Sequence, residues 1–128
     1  MNRRRATAYA TFIASAALVL IGVTLYQRSM ACKRRGLALE QRIETLKRSA
    51  QDRLQIGTNK DELIRFFEEN HIPFTIEGND ARGSILSTGC CPFGCGSDEV
   101  LIGVRVKLDE KGSVSSAPDI VAMCTNCL

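Results

Sequence analysis

The chain has 128 residues, a length typical of one small domain with an appended segment. Hydrophobic residues make up 45% and charged residues 24%, which excludes a wholly disordered protein. There is no Trp and aromatic content is only 5%, which argues against a surface that stacks nucleic-acid bases. Residues 1–56 carry eleven basic and three acidic side chains, net +8, whereas residues 57–128 carry six basic and eleven acidic, net −5.

The N-terminal segment has the features of a membrane anchor. Three arginines, Arg3–Arg5, precede residues 6–26, which contain no charged side chain. A helix of that length spans about 32 Å, and the hydrocarbon core of a bilayer is about 30 Å thick. Tyr9 and Tyr26 lie near its two ends, where amphipathic rings favour the headgroup level. The sequence therefore predicts a single transmembrane signal anchor over residues 1–27.

The same segment also fits two alternatives, a cleaved signal peptide and a lipoprotein signal. Ser29-Met30-Ala31 has the small-x-small pattern of a signal-peptidase site, and cutting there would make Cys32 the first residue, as in a lipoprotein. Basic residues lie on both sides of the apolar run, so their count does not set the orientation. The short arginine-rich start resembles an export signal. We therefore expect a single-pass protein of the inner (cytoplasmic) membrane with its C-terminal domain outside.

Residues 28–56 are predicted to form a basic juxtamembrane stalk helix. Apolar residues recur at helical spacings of three and four, at Leu39, Ile43, Leu46, Ala50 and Leu54. Such a stripe is consistent with a short dimerising coiled coil or with a helix that docks on its own domain. Two heptads are too few to establish the first alternative.

Residues 57–128 are predicted to form a small cysteine-rich α+β domain. Thr58 or Asn59 caps a helix whose buried face carries Leu63, Ile64, Phe66 and Phe67. Alternating apolar residues then predict strands, the clearest over residues 100–108. We expect the other strands over residues 72–76, 85–86, 113–117 and 120–124, with 113–117 as the hairpin partner of 100–108. One helix therefore packs on a small antiparallel sheet.

Two short segments carry a resemblance to a group of known proteins. Residues 57–67 and the strand-end turn at residues 108–112 resemble the corresponding segments of small, mostly uncharacterised bacterial envelope proteins. These include membrane-anchored and lipoprotein-like members, and the small lipoprotein component of outer-membrane barrel assembly shares the same outline. The resemblance implies an exported α+β module, usually without catalysis.

Five cysteines fall within the C-terminal domain, namely Cys90, Cys91, Cys95, Cys124 and Cys127. A domain this small often needs disulfides or a metal in addition to its core. In an oxidising compartment we expect two disulfides between the two groups, with one cysteine left over and the connectivity open. Cys90 and Cys91 are not expected to bond each other, because a vicinal bond forces strained geometry.

The alternative is a structural zinc site made by Cys91, Cys95, Cys124 and Cys127, as in a cytosol-facing metal module. Thiol–disulfide catalysis is disfavoured because no helix begins at Cys124 to acidify its thiol. Cys32 stands apart and is a candidate for lipidation or for a bridge between two copies.

We therefore expect no catalytic residues and no resident cofactor. The expected function is that of a non-catalytic binding or assembly module, anchored in the lipid bilayer and stapled by disulfides. Its partner is a protein or a second copy of the chain, because nucleic acid would be repelled by the acidic domain.

Overall fold

The structure is a computed structural model that describes residues 3–92 and 94–127, with side chains described from residue 11 onward. Its elements are helices α1 (Arg3–Arg53) and α2 (Lys60–Glu69) and strands β1 (Phe74–Glu77), β2 (Asp80–Thr88), β3 (Glu99–Lys107) and β4 (Asp119–Cys124). The chain divides into two compact units, Met1–Arg34 and Arg35–Leu128. The class is α+β, as the sequence predicts.

The first unit consists of the N-terminal part of α1. Its described apolar side chains are exposed on all sides of the helix, including Phe12 at 73% and Leu18 at 70%. By length and composition, this helix could cross a membrane. A helix that is apolar all round is typical of a membrane span or of a buried core helix.

In the second unit, the remainder of α1 forms one wall of the hydrophobic core. Leu46, Ala50 and Leu54 are buried, and Leu39 and Ile43 pack against them. The apolar stripe therefore docks on the chain's own domain, and the compact unit begins at Arg35. The sequence predicts that the domain begins at Gly57, which has a left-handed φ of +93° just after the end of α1. The compact unit instead includes residues 35–56, because their apolar side chains pack on the rest of the domain.

Helix α2 begins at the cap that the sequence indicates. The Asn59 side chain accepts a hydrogen bond from the Glu62 N–H at 2.9 Å, and Asp61 and Glu62 lie in the first turn. The buried face of α2 comprises Leu63, Phe66 and Phe67. Phe67 stacks on Phe74 with ring centroids 4.9 Å apart, which fixes α2 against β1.

The sheet is an antiparallel meander in which the strand order follows the chain, β1-β2-β3-β4. Strand β3 pairs along its length with β2 and alternates between exposed and buried residues. Its inward residues pack against α1 and α2, and the opposite side of the sheet, here called the outer face, carries the other set. The core of the domain therefore lies between the two helices and one side of the sheet.

Residues 113–117 form only a short part of the predicted hairpin. The Asp109 N–H donates to the Ser113 carbonyl and the Ser115 N–H donates to the Lys107 carbonyl, on either side of an isolated bridge between Leu108 and Val114. The strand that pairs along β3 is β4 instead. The backbone of Val114 bonds to Gly57 and Thr58, and its side chain is 1% exposed. The Val114 side chain therefore completes the core near the start of α2, and the backbone of Val114 is hydrogen-bonded there to Gly57 and Thr58 in place of a neighbouring strand.

Candidate functional site

The two groups of cysteines meet at one end of the sheet. Cys91 is bonded to Cys124 with their Cα atoms 5.8 Å apart, and Cys95 is bonded to Cys127 with theirs 3.9 Å apart. Both bonds join residues 89–98, here called the cysteine loop, to residues 124–127, here called the tail segment. The structure thus supplies the connectivity that spacing alone leaves open.

The meander positions these cysteines. The cysteine loop connects β2 to β3, and the Gly89 N–H donates to the Asp98 carbonyl at 2.9 Å where the loop leaves the hairpin. Cys124 is the last residue of β4 and lies opposite Val100 near the start of β3. The ends of three strands therefore meet, because neighbours in a meander run in opposite directions.

Backbone contacts hold the loop and the tail segment together beside their disulfides. The Gly96 N–H donates to the Asn126 carbonyl at 2.9 Å, and Cys95 and Cys127 form an antiparallel bridge. Gly94 and Asn126 have left-handed φ values of +106° and +57°, a region that Gly and Asn tolerate best. The cluster is a tight double turn.

Helix α1 supports the cysteine loop from the other side. Arg35 Nη2 donates to Asp98 Oδ2 at 2.8 Å, while Asp98 Oδ1 accepts the N–H of Cys91 at 3.3 Å. A Cβ atom on Gly89 would lie 2.6 Å from Val100 Cγ2 and 2.9 Å from Leu39 Cδ2. Only glycine at position 89 permits this close approach. The contacts of Asp98 with Arg35 and Cys91 were not predictable from the spacing of residues in the sequence.

The sulfur atoms also form a compact donor group. Those of Cys95, Cys124 and Cys127 lie within 4.8 Å of one another, and Cys91 is bonded to Cys124. Four thiolates so placed suit zinc or another soft metal once the two bonds are reduced. In the structure both bonds are formed, and bonded sulfurs are not thiolate ligands.

Cys32 and Cys90 are each disulfide-bonded as well, so the expectation that one cysteine of the domain is left over is wrong. No cysteine in the described residues carries a free thiol. Lipidation of Cys32, or a bridge from it to a second copy, would first require its present bond to be reduced.

The described charged residues form two further clusters, both of them ion pairs. Arg105 and Arg82 donate hydrogen bonds to Asp80, and these guanidinium groups hold the pKa of Asp80 well below its usual range. Arg53 links Glu62 and Glu69, and its hydrogen bond lowers the pKa of Glu62. In both clusters the carboxylates are paired with arginine, so neither cluster resembles the two neighbouring carboxyl groups of a general acid/base site.

The outer face of the sheet carries exposed apolar side chains that the sequence analysis did not single out. Leu86, Val121 and Met123 are 57%, 45% and 55% exposed. In the sequence, the uncharged run over residues 120–123 predicts a short strand but does not indicate that its side chains are exposed.

Comparisons with protein-family models, with curated proteins and with solved structures find no match to this chain.

Proposed function

We propose that this chain is a non-catalytic binding or assembly module, anchored in the cytoplasmic membrane, whose domain of residues 35–128 lies outside the cytoplasm. The observation that carries the proposal is the pair of disulfides between the cysteine loop and the tail segment. Disulfides persist in oxidising compartments and are rare in the cytosol. The apolar helix that precedes the domain supplies a means of export and attachment.

The form of the domain supports binding rather than catalysis. The sulfurs that are catalytic candidates in the sequence are held in disulfides, and Asp80 and Glu62 are held in ion pairs. Three large apolar side chains on the outer face of the sheet, Leu86, Val121 and Met123, are about half exposed. An exposed apolar patch on a small domain marks an interaction surface. The acidic charge of residues 57–128 favours a protein partner over nucleic acid.

A thiol count on protein from its native membrane tests the compartment. Free thiols are alkylated before denaturation and again after it, with and without reductant, and intact mass is measured. We expect the cysteines of the domain to react only after reductant. Protease added to the outer side of the membrane should remove the domain, and protection of the domain would contradict the proposed orientation.

Partner binding needs a separate measurement in the same membrane. A photo-cross-linking side chain placed at Leu86, on the outer face of the sheet, should give a discrete adduct of higher mass. The same side chain placed at Glu68, on the exposed side of α2, should not. Adducts of equal yield at both positions would indicate random collision and would contradict a specific binding surface.

The second candidate is a cysteine-ligated zinc module, favoured by the proximity of three sulfurs within 4.8 Å. It predicts that the reduced full chain binds one zinc ion, and that thiols in native protein react after a chelator is added, without reductant. If the native cysteines already resist alkylation until reductant is present, the metal candidate is excluded for that compartment.

A further inference from the structure

Strand β4 lies at the edge of the sheet, with a hydrogen-bonded neighbour on one side only. The Thr125 N–H donates to the Glu99 carbonyl, and residues two apart on an antiparallel strand direct their backbone groups to the same side. Val121 and Met123 therefore bond to β3. The N–H and C=O groups of Ile120 and Ala122 point away from the sheet.

The middle of this edge lacks the features that usually prevent strand addition. Natural edge strands are commonly very short, or carry charged residues or proline. Both edge strands follow a proline and carry an acidic residue at one end, Pro73 and Glu77 for β1 and Pro118 and Asp119 for β4. β1 has only four residues, whereas β4 has six, and residues 120–123 of β4 contain neither a charge nor a proline. The two edges thus differ in length, and β4 is the more open of the two to a further strand.

Apolar side chains continue up to this edge on the outer face. The register places Leu86, Leu101 and Met123 side by side across β2, β3 and β4. Met123 and Val121 are each about half exposed. A strand added beside β4 would bury them against its own outward side chains, as cross-strand neighbours do in any sheet.

There is also room on the inner side of the edge. A cleft of about 300 Å³ lies between β4 and α1, lined by Lys47, Ala50, Gln51, Pro118, Asp119 and Ile120. Inward side chains of an added strand would enter this space. Alternate side chains therefore have a place on both faces.

A second copy of the chain does not suit this edge. Antiparallel pairing of two β4 strands places a two-fold axis perpendicular to the sheet. The end of β4 at Asp119 in each copy would then lie beside the other end of β4 in the second copy, which is next to Glu99. The two pairs of acidic ends would repel each other.

We infer that β4 is a docking edge for an extended segment of a partner protein, which adds to the sheet as a further strand. The inference rests on the proposed function and names the binding site within it. Exposed Asp119 and Glu99 lie near the two ends of β4, and Asp119 lies opposite Arg105 on β3. Residues 35–128 carry eleven basic and fourteen acidic side chains, a net charge of −3. Charge complementarity therefore selects a segment with apolar side chains at alternate positions and basic side chains at its ends.

The test uses the oxidised full chain in nanodiscs of zwitterionic lipid, against a phage-displayed library of random nonapeptides. We expect enrichment of peptides with alternating apolar residues and terminal Lys or Arg. A synthetic peptide of the most enriched sequence should slow hydrogen exchange at Ile120 and Ala122. The amides of Val121 and Met123 are already bonded to β3 and should change little.

Two variants block the edge in different ways. Ala122→Pro removes an N–H that points away from β3, and Val121→Lys places a charge on the edge while keeping the ladder intact. Each should weaken peptide binding by about tenfold or more, a loss of about 1.4 kcal/mol. Thr75→Lys adds the same charge to the outer face of β1 and is the matched control, with affinity expected within about twofold of the parent.

Failure to enrich any peptide, or peptides that bind all variants equally, would overturn the docking edge. Val121→Lys keeps the test valid if Ala122→Pro does not fold. Neither failure would contradict the proposed function, which the thiol count and the Leu86 cross-link test on their own. Conversely, reduced cysteines in native protein would remove the proposed function even if peptides bind in vitro.

Discussion

Gly83, at the centre of β2, marks the closest approach between the sheet and α2. A Cβ atom at this position would lie 2.6 Å from Phe67 Cε1 and 2.8 Å from Ile72 Cγ2. Both neighbours are buried, so an added Cβ requires core side chains to shift. We expect Gly83→Ala to lower the free energy of unfolding by about 1–3 kcal/mol, measured by denaturant titration.

Gly103→Ala is the matched control for this substitution. Gly103 lies on β3 and faces the outer side of the sheet, whereas Gly83 faces the core. A Cβ atom on Gly103 would meet only Val121 Cγ2, at an ordinary contact distance of 3.6 Å. The change should stay within about 1 kcal/mol of the parent and in the stabilising direction, since alanine restricts the unfolded chain. Equal destabilisation by both substitutions would show that packing against Phe67 is not the cause.

Asp80 gives a pH-dependent prediction. Its folded-state pKa is lowered by Arg105 and Arg82, so its contribution to stability is fully present above the unfolded value of about 3.9. That contribution is lost as the pH falls below about 4 toward the folded pKa. Asp80→Asn should therefore lower Tm at neutral pH, and the difference from the parent should shrink on acidification below about pH 4.

The comparison variant is Glu68→Gln, on the exposed side of α2 and outside that ion cluster. Thermal melts from about pH 7 to about pH 2 should show a small offset for this variant. An Asp80→Asn offset that stays constant across the whole range would mean that the ion pairs do not contribute through titration of Asp80.

Among the elements, α1 gives the clearest test of how the domain is built. Leu46 is 8% exposed and lies in the core, whereas Leu37 on the same helix is 60% exposed. Leu46→Ala should cost about 2–5 kcal/mol of unfolding free energy, and Leu37→Ala less than about 0.5 kcal/mol. Similar, small effects at both positions would mean that the helix is a stalk and not a wall of the core.

Elements with one buried face were predictable from the sequence. Strand β3 alternates because one face packs on the helices, and α2 is identified by its cap at Asn59 and its apolar spacing. Strand β2 was predicted only at Ile85 and Leu86, because Gly83 and Ser84 have low strand propensity. Its full length is set by pairing with β3, a tertiary contact that local pattern does not contain.

Residues 113–117 show why the predicted hairpin is shorter than expected. A turn followed by Val114 is the expected hairpin signal, and backbone hydrogen bonds do join Ser113 to Asp109 and Ser115 to Lys107. Val114 bonds to Thr58, however, so the pairing does not extend into a full strand. The competing partner lies more than fifty residues earlier in the chain, so the local sequence could not reveal it.

For the candidate site, the sequence identified the cysteines but not their pairing. Which sulfurs meet depends on the register of β3 with β4, which places Cys124 opposite Val100. The exposure of Val121 and Met123 was not predictable either, because it depends on which face of the sheet the helices cover. Composition alone does not show which face of a sheet is covered.

For the whole molecule, the two disulfides should contribute similarly to stability. They close loops of nearly equal length, with sequence separations of 33 and 32. Replacing Cys91 and Cys124 together by Ala should cost about 2–4 kcal/mol of unfolding free energy, and so should replacing Cys95 and Cys127. Denaturant titration of the two double variants under oxidising conditions measures both losses.

A large difference between the two double variants would contradict the view that chain restriction dominates. It would instead assign the excess to native contacts that one bridge holds in place, such as those of Asp98 with Arg35 and with the Cys91 N–H. Asp98→Ala in the parent chain separates these explanations, because it removes both contacts and leaves both disulfides in place.

The ladder between β2 and β3 is complete where the cysteine loop begins. The Gly89 N–H to Asp98 carbonyl bond closes the hairpin, and residues 90–97 lie beyond that closing pair. The cysteine loop is thus an insertion at the end of the hairpin and is not needed for the pairing of β2 with β3. Replacing residues 90–97 by a two-residue Asn-Gly turn preserves the strand register in principle. The disulfides therefore add stability to a strand register that the ladder between β2 and β3 sets without them.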